Sequence, residues 1–360
     1  MKVKSVTLDD VARHAGVSYQ TVSRVLNQSS QVASVTRQKV EQAMVALNYV
    51  PNRMAQQLAG KRSYTLGLAT TDLALQAPAQ IASAIKTRAS QQGYHLVISM
   101  VDSLQDSTCR AAVNELLAQR VDGVIVNVPL STVLAQEVIQ CCAPTPVLFL
   151  DVDAGAPLPS LLFDARQAAR QGVEHLYQLG HRQIALICGP QNSVAAQWRC
   201  QEWCLALQEA GLAPMSCLYG DWSAASGHRL AWSLLSQSLA PSAILVANDQ
   251  MALGVLRAAH ELGYAIPQRL SIVGYDDTAD SAYFYPPLTS VRQDFVLLGQ
   301  QSVNCLLARI DGVAHSSSTE PLLATSLVVR NTSAFVDNHL PSTAALAGQL
   351  RQIASLLTKN

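Results

Sequence analysis

Four short β-rich runs in this chain end on an amide or a carboxylate: Asn127 follows VIV, Asp151 follows LFL, Asn248 follows LVA and Asp276 follows VGY. Asp and Asn supply donors and acceptors for vicinal hydroxyls. Arg199 adds a charged fork, and Trp222 can cover the apolar C–H face of a pyranose. Singly, such residues at strand ends are ordinary turn formers; four in register point to a small polyhydroxylated ligand. A second polar set lies near the N-terminus, where Tyr19, Gln20, Ser23, Arg24 and Asn27 face outward on a short helix. These types near the start of a helix can reach base edges in a major groove. The competing reading is a helical hairpin with a solvated polar face.

The elements that must position these groups follow from periodicity. Between residues 64 and 330, YTLGLAT, YHLVISMV, GVIVNV and PVLFLD, then QIALICG, AILVAN and LSIVGYDD, alternate with amphipathic stretches. That alternation predicts parallel sheets with crossover helices, an α/β fold in two similar subdomains breaking near Phe163. Ligands of open α/β sheets sit beyond the carboxyl ends of the strands, where the four polar residues fall.

In the first sixty residues, Val11, Ala12 and Ala15 form one face of a short helix that Gly16 ends. Ser18 is the expected N-cap of a second helix, Tyr19 to Leu26, with Val22, Val25 and Leu26 inward. Two helices meeting at a tight glycine turn predict a helix-turn-helix. A third helix, Thr36 to Leu47, completes the small core through Val40, Ala43, Met44 and Leu47, and Asn48-Tyr49-Val50-Pro51 stops it. The NRMAQQLAGKRS stretch that follows is too short to be a stable helix alone. It is either a plain linker or a hinge helix that forms when two copies pair on DNA, with Leu58 as a minor-groove wedge. At the other end, Leu346, Leu350, Ile353 and Leu357 recur at spacings of 4, 3 and 4, a heptad seam that one short helix cannot bury alone.

Charge separates the ends. The 360 residues sum to zero, yet residues 1–62 carry nine Lys and Arg against three Asp and Glu, a net of +6, leaving −6 on the rest. A cationic head on an anionic body suits phosphate at one end only. The composition, 49% hydrophobic and 14% charged, suits a large aliphatic core. Neither a leader peptide nor a run of roughly 20 apolar residues is evident, so a cytoplasmic, nucleoid-associated protein without membrane contact is expected. That expectation, with the cationic head, argues against an exported sugar-binding transport protein. The absence of GxGxxG after the first strand and of a GxSxG elbow argues against an α/β enzyme, so no catalytic residue is assigned. Eight cysteines show no CxxC pair. Cys200 and Cys204 lie one helical turn apart with no accompanying ligand, so neither metal nor cofactor is expected.

The block TLDDVARHAGVSYQTVSRVLN followed by LNYVPNRMAQQLAGK resembles the LacI family of bacterial repressors. LLAQRVDGVIVN, LFLDV, GDWSA, LVANDQMALG and VGYDDT extend the likeness over nearly the whole chain. The resemblance implies a small all-α helix-turn-helix DNA-binding domain (1–51), a hinge helix (52–62) and a periplasmic-binding-protein-like α/β core of two subdomains (63–331). A linker (332–343) and a C-terminal oligomerisation helix (344–360) complete the expected organisation. It adds Thr7, Ser18, Thr21, Tyr49, Asn52, Gln56 and Ala59 to the DNA-contacting set. To the ligand pocket it adds Leu75, Ala77, Pro78, Ile81, Phe163, Ser193, Gln293 and Phe295, apolar groups among them excluding water from the hydroxyl-binding ones. The implied function is a sequence-specific repressor of a galactoside-utilisation operon, released from operator DNA by a galactoside inducer. Its expected assembly is a homodimer that pairs through the tail into a homotetramer. The alternative within the family is a response to another sugar or to a corepressor. Asp9, Gln31 and Ala195 stand where the family's best-known member has tyrosine, histidine and serine. An acidic Asp9 near phosphate opposes backbone binding, so it is left out of the DNA contacts.

Overall fold

The computed structural model describes residues 6–26, 32–49, 62–101, 106–313 and 322–336. The chain divides into two compact units, Met1–Ser63 and Tyr64–Asn360.

In the first unit, α1 (Leu8–Ala15) opens with a capping box. Asp10 N–H donates to Thr7 Oγ1, while Thr7 N–H donates to the Asp10 carboxylate at 2.9 Å. Gly16 closes the helix at φ 64°, a left-handed turn that a side chain resists. The next helix, α2 (Tyr19–Leu26), is capped by Ser18, whose Oγ accepts from Thr21 N–H at 3.2 Å. Helix α3 (Ser34–Ala46) starts two residues before the expected Thr36, with Ala33 at its N-cap. Val11, Ala12, Val22, Val25, Val40 and Ala43 form the buried core, and Met44, Leu47 and Tyr49 pack half-buried around it.

The second unit holds two sheets. Strands β1 (Thr65–Thr70), β2 (His95–Met100), β3 (Gly123–Asn127) and β4 (Val147–Phe149) form a parallel sheet in the order β2-β1-β3-β4. Its helices include α4 (Gln76–Gln91), α5 (Asp106–Ala118) and α6 (Thr132–Cys142). The other sheet has the order β10-β9-β8-β7-β5-β6. Its strands are β5 (Ile184–Cys188), β6 (Cys217–Tyr219), β7 (Ala243–Val246), β8 (Ser271–Asp276), β9 (Thr289–Arg292) and β10 (Ser326–Val328). All run parallel except β10, which pairs antiparallel with β9. Helices α7 (Ala165–Gln178), α8 (Val194–Glu209), α9 (Ala224–Leu235) and α10 (Asp249–Glu261) cover it. Every residue of β1 and β8 is buried, as strands covered on both faces require. Helices α9 and α10 touch backbone to backbone: a Cβ on Gly254 would lie 1.9 Å from the Ala224 carbonyl oxygen, and one on Gly227 2.2 Å from that of Met251.

The two subdomains are not consecutive halves, as the break expected near Phe163 suggested. The chain crosses there into the second sheet, then α11 (Phe295–Ile310) returns to the first, where Phe295, Leu298, Val303 and Leu306 pack with Leu66, Leu68, Ile81 and Ile85. It crosses back to supply β10. The described part of the expected 332–343 linker is pinned to the second sheet. Thr332 is fully buried, accepts from Thr289 N–H at 2.8 Å and donates its hydroxyl to the Ile272 carbonyl at 2.7 Å. The hinge stretch from 52 to 61 and the seam residues Leu346, Leu350, Ile353 and Leu357 lie outside the described residues.

Candidate functional site

Parallel strands place their carboxyl ends, and the N-termini of the helices that follow, on one edge of each sheet. In the second unit those edges enclose a cavity of about 480 Å³. All fourteen residues expected to contact ligand line it. Leu75, Ala77, Pro78 and Ile81 come from the start of α4, Asn127 from the end of β3, Asp151 from just past β4, and Phe163 and Phe295 from the crossings. Ser193 and Arg199 come from α8, Trp222 and Asn248 from the residues just before α9 and α10, and Asp276 and Gln293 from the ends of β8 and β9. Phe163 and Phe295 meet edge to face, 6.1 Å between centroids, and make an apolar wall.

The polar side centres on Arg199, which is 9% exposed. Its guanidinium carbon lies 3.4 Å from the Tyr275 ring centroid and 5.6 Å from that of Trp222, and it donates to the Ala247 carbonyl. Two carboxyls share this cation. Desolvation raises Asp276 from 3.8 to about 8 and Asp151 to about 7, and the Arg199 charge opposes the rise at both. Burial thus pushes both acids from the ordinary carboxylate range toward neutrality.

The backbone holding these groups is unusual. Asp276 (φ 108°) and Trp222 (φ 74°) adopt left-handed conformations that L side chains seldom take. Asn248 explains the second: its Oδ1 accepts from Met251 N–H at 2.8 Å, capping α10, while its Nδ2 donates to the Trp222 carbonyl at 3.0 Å. Asp276 is braced by its neighbour Asp277, which pairs with Arg292 at 2.7 Å and Arg330 at 2.6 Å. Behind it, the buried Asp249 carboxylate accepts from Ser281 Oγ and Ser290 Oγ at 2.6 Å each, and from Thr278 N–H at 2.9 Å. Burial raises Asp249 to about 6 against the pull of those hydrogen bonds.

Sequence reasoning missed several groups here. Tyr275 lies under Arg199, and Trp198, Asp164 and Gln250 also line the cavity. Trp198 was legible as the aromatic neighbour of Arg199; Tyr275, inside a strand buried on both faces, reads as core, and only packing brings its ring to Arg199. Gln250 accepts from Gln76 N–H at 3.0 Å, and Gln76 Nε2 donates to Asp280 at 2.8 Å, so the start of α4 is tied to the second sheet's side of the cavity.

In the first unit, Thr7, Ser18, Tyr19, Gln20 and Arg24 are exposed, and Thr21, Ser23 and Tyr49 are half-buried. Thr7 and Ser18 also carry the caps described above, and the Ser18 and Thr21 hydroxyls bond each other at 2.9 Å. Asp9 occupies the first turn of α1, where a negative charge complements the helix dipole. Asn27, Gln31, Asn52, Gln56, Leu58 and Ala59 lie outside the described residues. Among the described residues, one group of three metal-type side chains comes together: the fold brings Cys217 to Cys200 and Cys204, a third ligand that linear spacing did not reveal.

Known proteins share both units. The model for bacterial regulatory proteins of the lacI family matches residues 7–52, and that for a periplasmic binding protein-like domain matches residues 173–333. The lactose operon repressor of Escherichia coli K12 is 50% identical over 357 residues, covering 99% of both chains. A solved lac repressor dimer bound to operator and the anti-inducer ONPF superposes with a TM-score of 0.86 at 51% identity, over 92% of this chain and all of that one. A lac repressor bound to ONPG in the repressed state gives the same TM-score, identity and coverage. A glycine-closed pair of helices with a polar outer face, an α/β core with its cavity at the strand ends, and identity sustained from end to end agree: the chain belongs to the LacI family of bacterial regulatory proteins.

Proposed function

We propose that this chain is a DNA-binding transcriptional repressor of a galactoside-utilisation operon, released from its operator when a galactoside occupies the core cavity. The observation that carries this reading is the convergence of Asp151, Asp276, Arg199, Asn248 and Trp222 in one cavity of about 480 Å³, a size suited to a sugar. Paired carboxyls accept from vicinal hydroxyls, the Arg199 fork donates to ring or hydroxyl oxygens, and the Trp222 face covers the C–H groups of a pyranose.

In the DNA-bound state, a dimer sets two α2 helices in successive major-groove half-sites, Tyr19, Gln20 and Arg24 reading base edges while Thr7, Ser18 and Thr21 approach the backbone. The stretch from 52 to 62 pairs across the minor groove, with Leu58 as the wedge. The 344–360 seam joins dimers into a tetramer, and the protein works in the cytoplasm on nucleoid DNA. Induction requires the galactoside to bind the DNA-incompetent arrangement more tightly, because a ligand with equal affinity for both shifts nothing. By linkage, operator DNA weakens sugar binding by the same factor.

The deciding experiment measures binding of the purified chain to a lactose-operon operator duplex at fixed salt, with and without isopropyl thiogalactoside. A large loss of affinity with the sugar is expected. Tight binding that ignores it removes the galactoside from the proposal, and sugar affinity unchanged by saturating operator removes the coupling.

A further inference from the structure

Strand β5 ends on Cys188, α8 carries Cys200 and Cys204 one turn apart, and β6 opens on Cys217. Because β6 lies beside β5, with Tyr219 opposite Cys188, and α8 packs on β5, four cysteines from three elements meet at one edge of the second sheet. The sulfurs of Cys200, Cys204 and Cys217 all lie within 4.8 Å of one another. None of these cysteines is in a disulfide.

Three sulfurs bound to one ion at about 2.3 Å sit about 4 Å apart when the ion lies in their plane. The observed spacing therefore needs only small side-chain adjustments to close. A disulfide, at about 2.05 Å, joins two sulfurs and leaves the third out. The ligand set is entirely sulfur, which selects soft ions over calcium, magnesium or manganese. Cys204 and Cys217 are half-buried and give access from solvent, while Cys200 sits beneath them at 8% exposure.

We propose that Cys200, Cys204 and Cys217 form an all-thiolate site for a soft d10 cation. The bound ion braces α8 against the edge of the sheet, one residue from Arg199.

The full-length chain, kept reduced with a phosphine, is titrated with Cd(II). Expected are saturable uptake of one Cd(II) per chain with cadmium–thiolate charge-transfer absorbance, and a 113Cd resonance in the range of three-sulfur sites. Cys204→Ser and Cys217→Ser should each weaken uptake by at least about tenfold, whereas Cys141→Ser and Cys305→Ser should leave it unchanged. Absence of a saturable band overturns the site, as does a band that survives both substitutions. The cadmium spectrum of the unsubstituted chain tests the ligand count even if a variant folds poorly: a resonance outside the sulfur-rich range refutes it.

Discussion

Replacing Arg199 with lysine keeps the cavity's positive charge and removes its shape. The guanidinium carbon lies 3.4 Å from the Tyr275 centroid, one N–H donates to the Ala247 carbonyl, and the side chain lines the cavity. An ammonium cannot stack in that way or present two parallel donors. Losing one charge-assisted hydrogen bond to the sugar costs about 1.5–3 kcal/mol, which is roughly 10- to 150-fold in affinity. Calorimetric titration of Arg199→Lys with isopropyl thiogalactoside should show that loss, while operator affinity without sugar stays at the parental value because the DNA-reading helices belong to the other unit. The variant should therefore remain on operator at sugar concentrations that release the parent. Arg199→Met goes further: it removes the charge that opposes the rise at Asp151 and Asp276, so both carboxyls should hold their protons to higher pH. An Arg199→Lys protein that binds the sugar within about threefold of the parent would show that the fork does not contact it.

Galactoside affinity should rise from pH 6 through pH 8 and level off only about a pH unit above that, once the group raised to about 8 is ionised. Burial raises Asp151 to about 7 and Asp276 to about 8, and hydroxyl donors favour the ionised forms, so a flat or falling profile counts against carboxylate–hydroxyl contacts. Without added sugar, the core should meanwhile lose stability as pH rises over the window from 3.8 to about 8. Asp151, Asp249 and Asp276 bind protons more tightly folded than unfolded there, and denaturant midpoints across that range read the sign. Gly254→Ala places a methyl where the Ala224 carbonyl oxygen sits and should destabilise the core by about 3 kcal/mol, and an unchanged core unfolding midpoint would contradict the close helix contact. Removing residues 344–360 should turn tetramers into dimers in sedimentation velocity, whereas persistent tetramers would place that interface elsewhere.

Much of the core was legible because parallel strands read as apolar runs, and seven stand out in the sequence as β1 to β5, β7 and β8, the edge strand β2 among them despite its exposed Ile98 and Met100. The polar residues closing four of those runs were legible for the same reason: a strand's carboxyl end is where an apolar run stops. The edge strands β6 and β10 and the short inner strand β9, of three or four residues each, carry no such run. The return of α11 to the first sheet was equally hidden, since its amphipathic pattern fits either subdomain and only packing against Leu66 and Ile85 decides between them. Asp249 reads as one more acid at a helix start; its seat under the β8–β9 connection depends on Ser281 and Ser290, thirty to forty residues away. Cys217 escaped notice alike, because parallel pairing with β5 is what brings it to α8. In the first unit, local chemistry sufficed: Ser18 and Gly16 announce where helices begin and end.

Asn248, Ser193 and Asp164 each line the cavity and each cap a helix, α10, α8 and α7 respectively. A mutation that retunes ligand preference at one of these positions also frays the helix that builds the wall, so the two traits cannot vary independently there. Leu75, Ala77 and Pro78 carry no side-chain cap, and at them a lineage can change what the cavity accepts with little penalty to folding. Divergence of inducer choice among descendants of such a chain should therefore run through its apolar wall, while its helix-starting polar residues stay as they are.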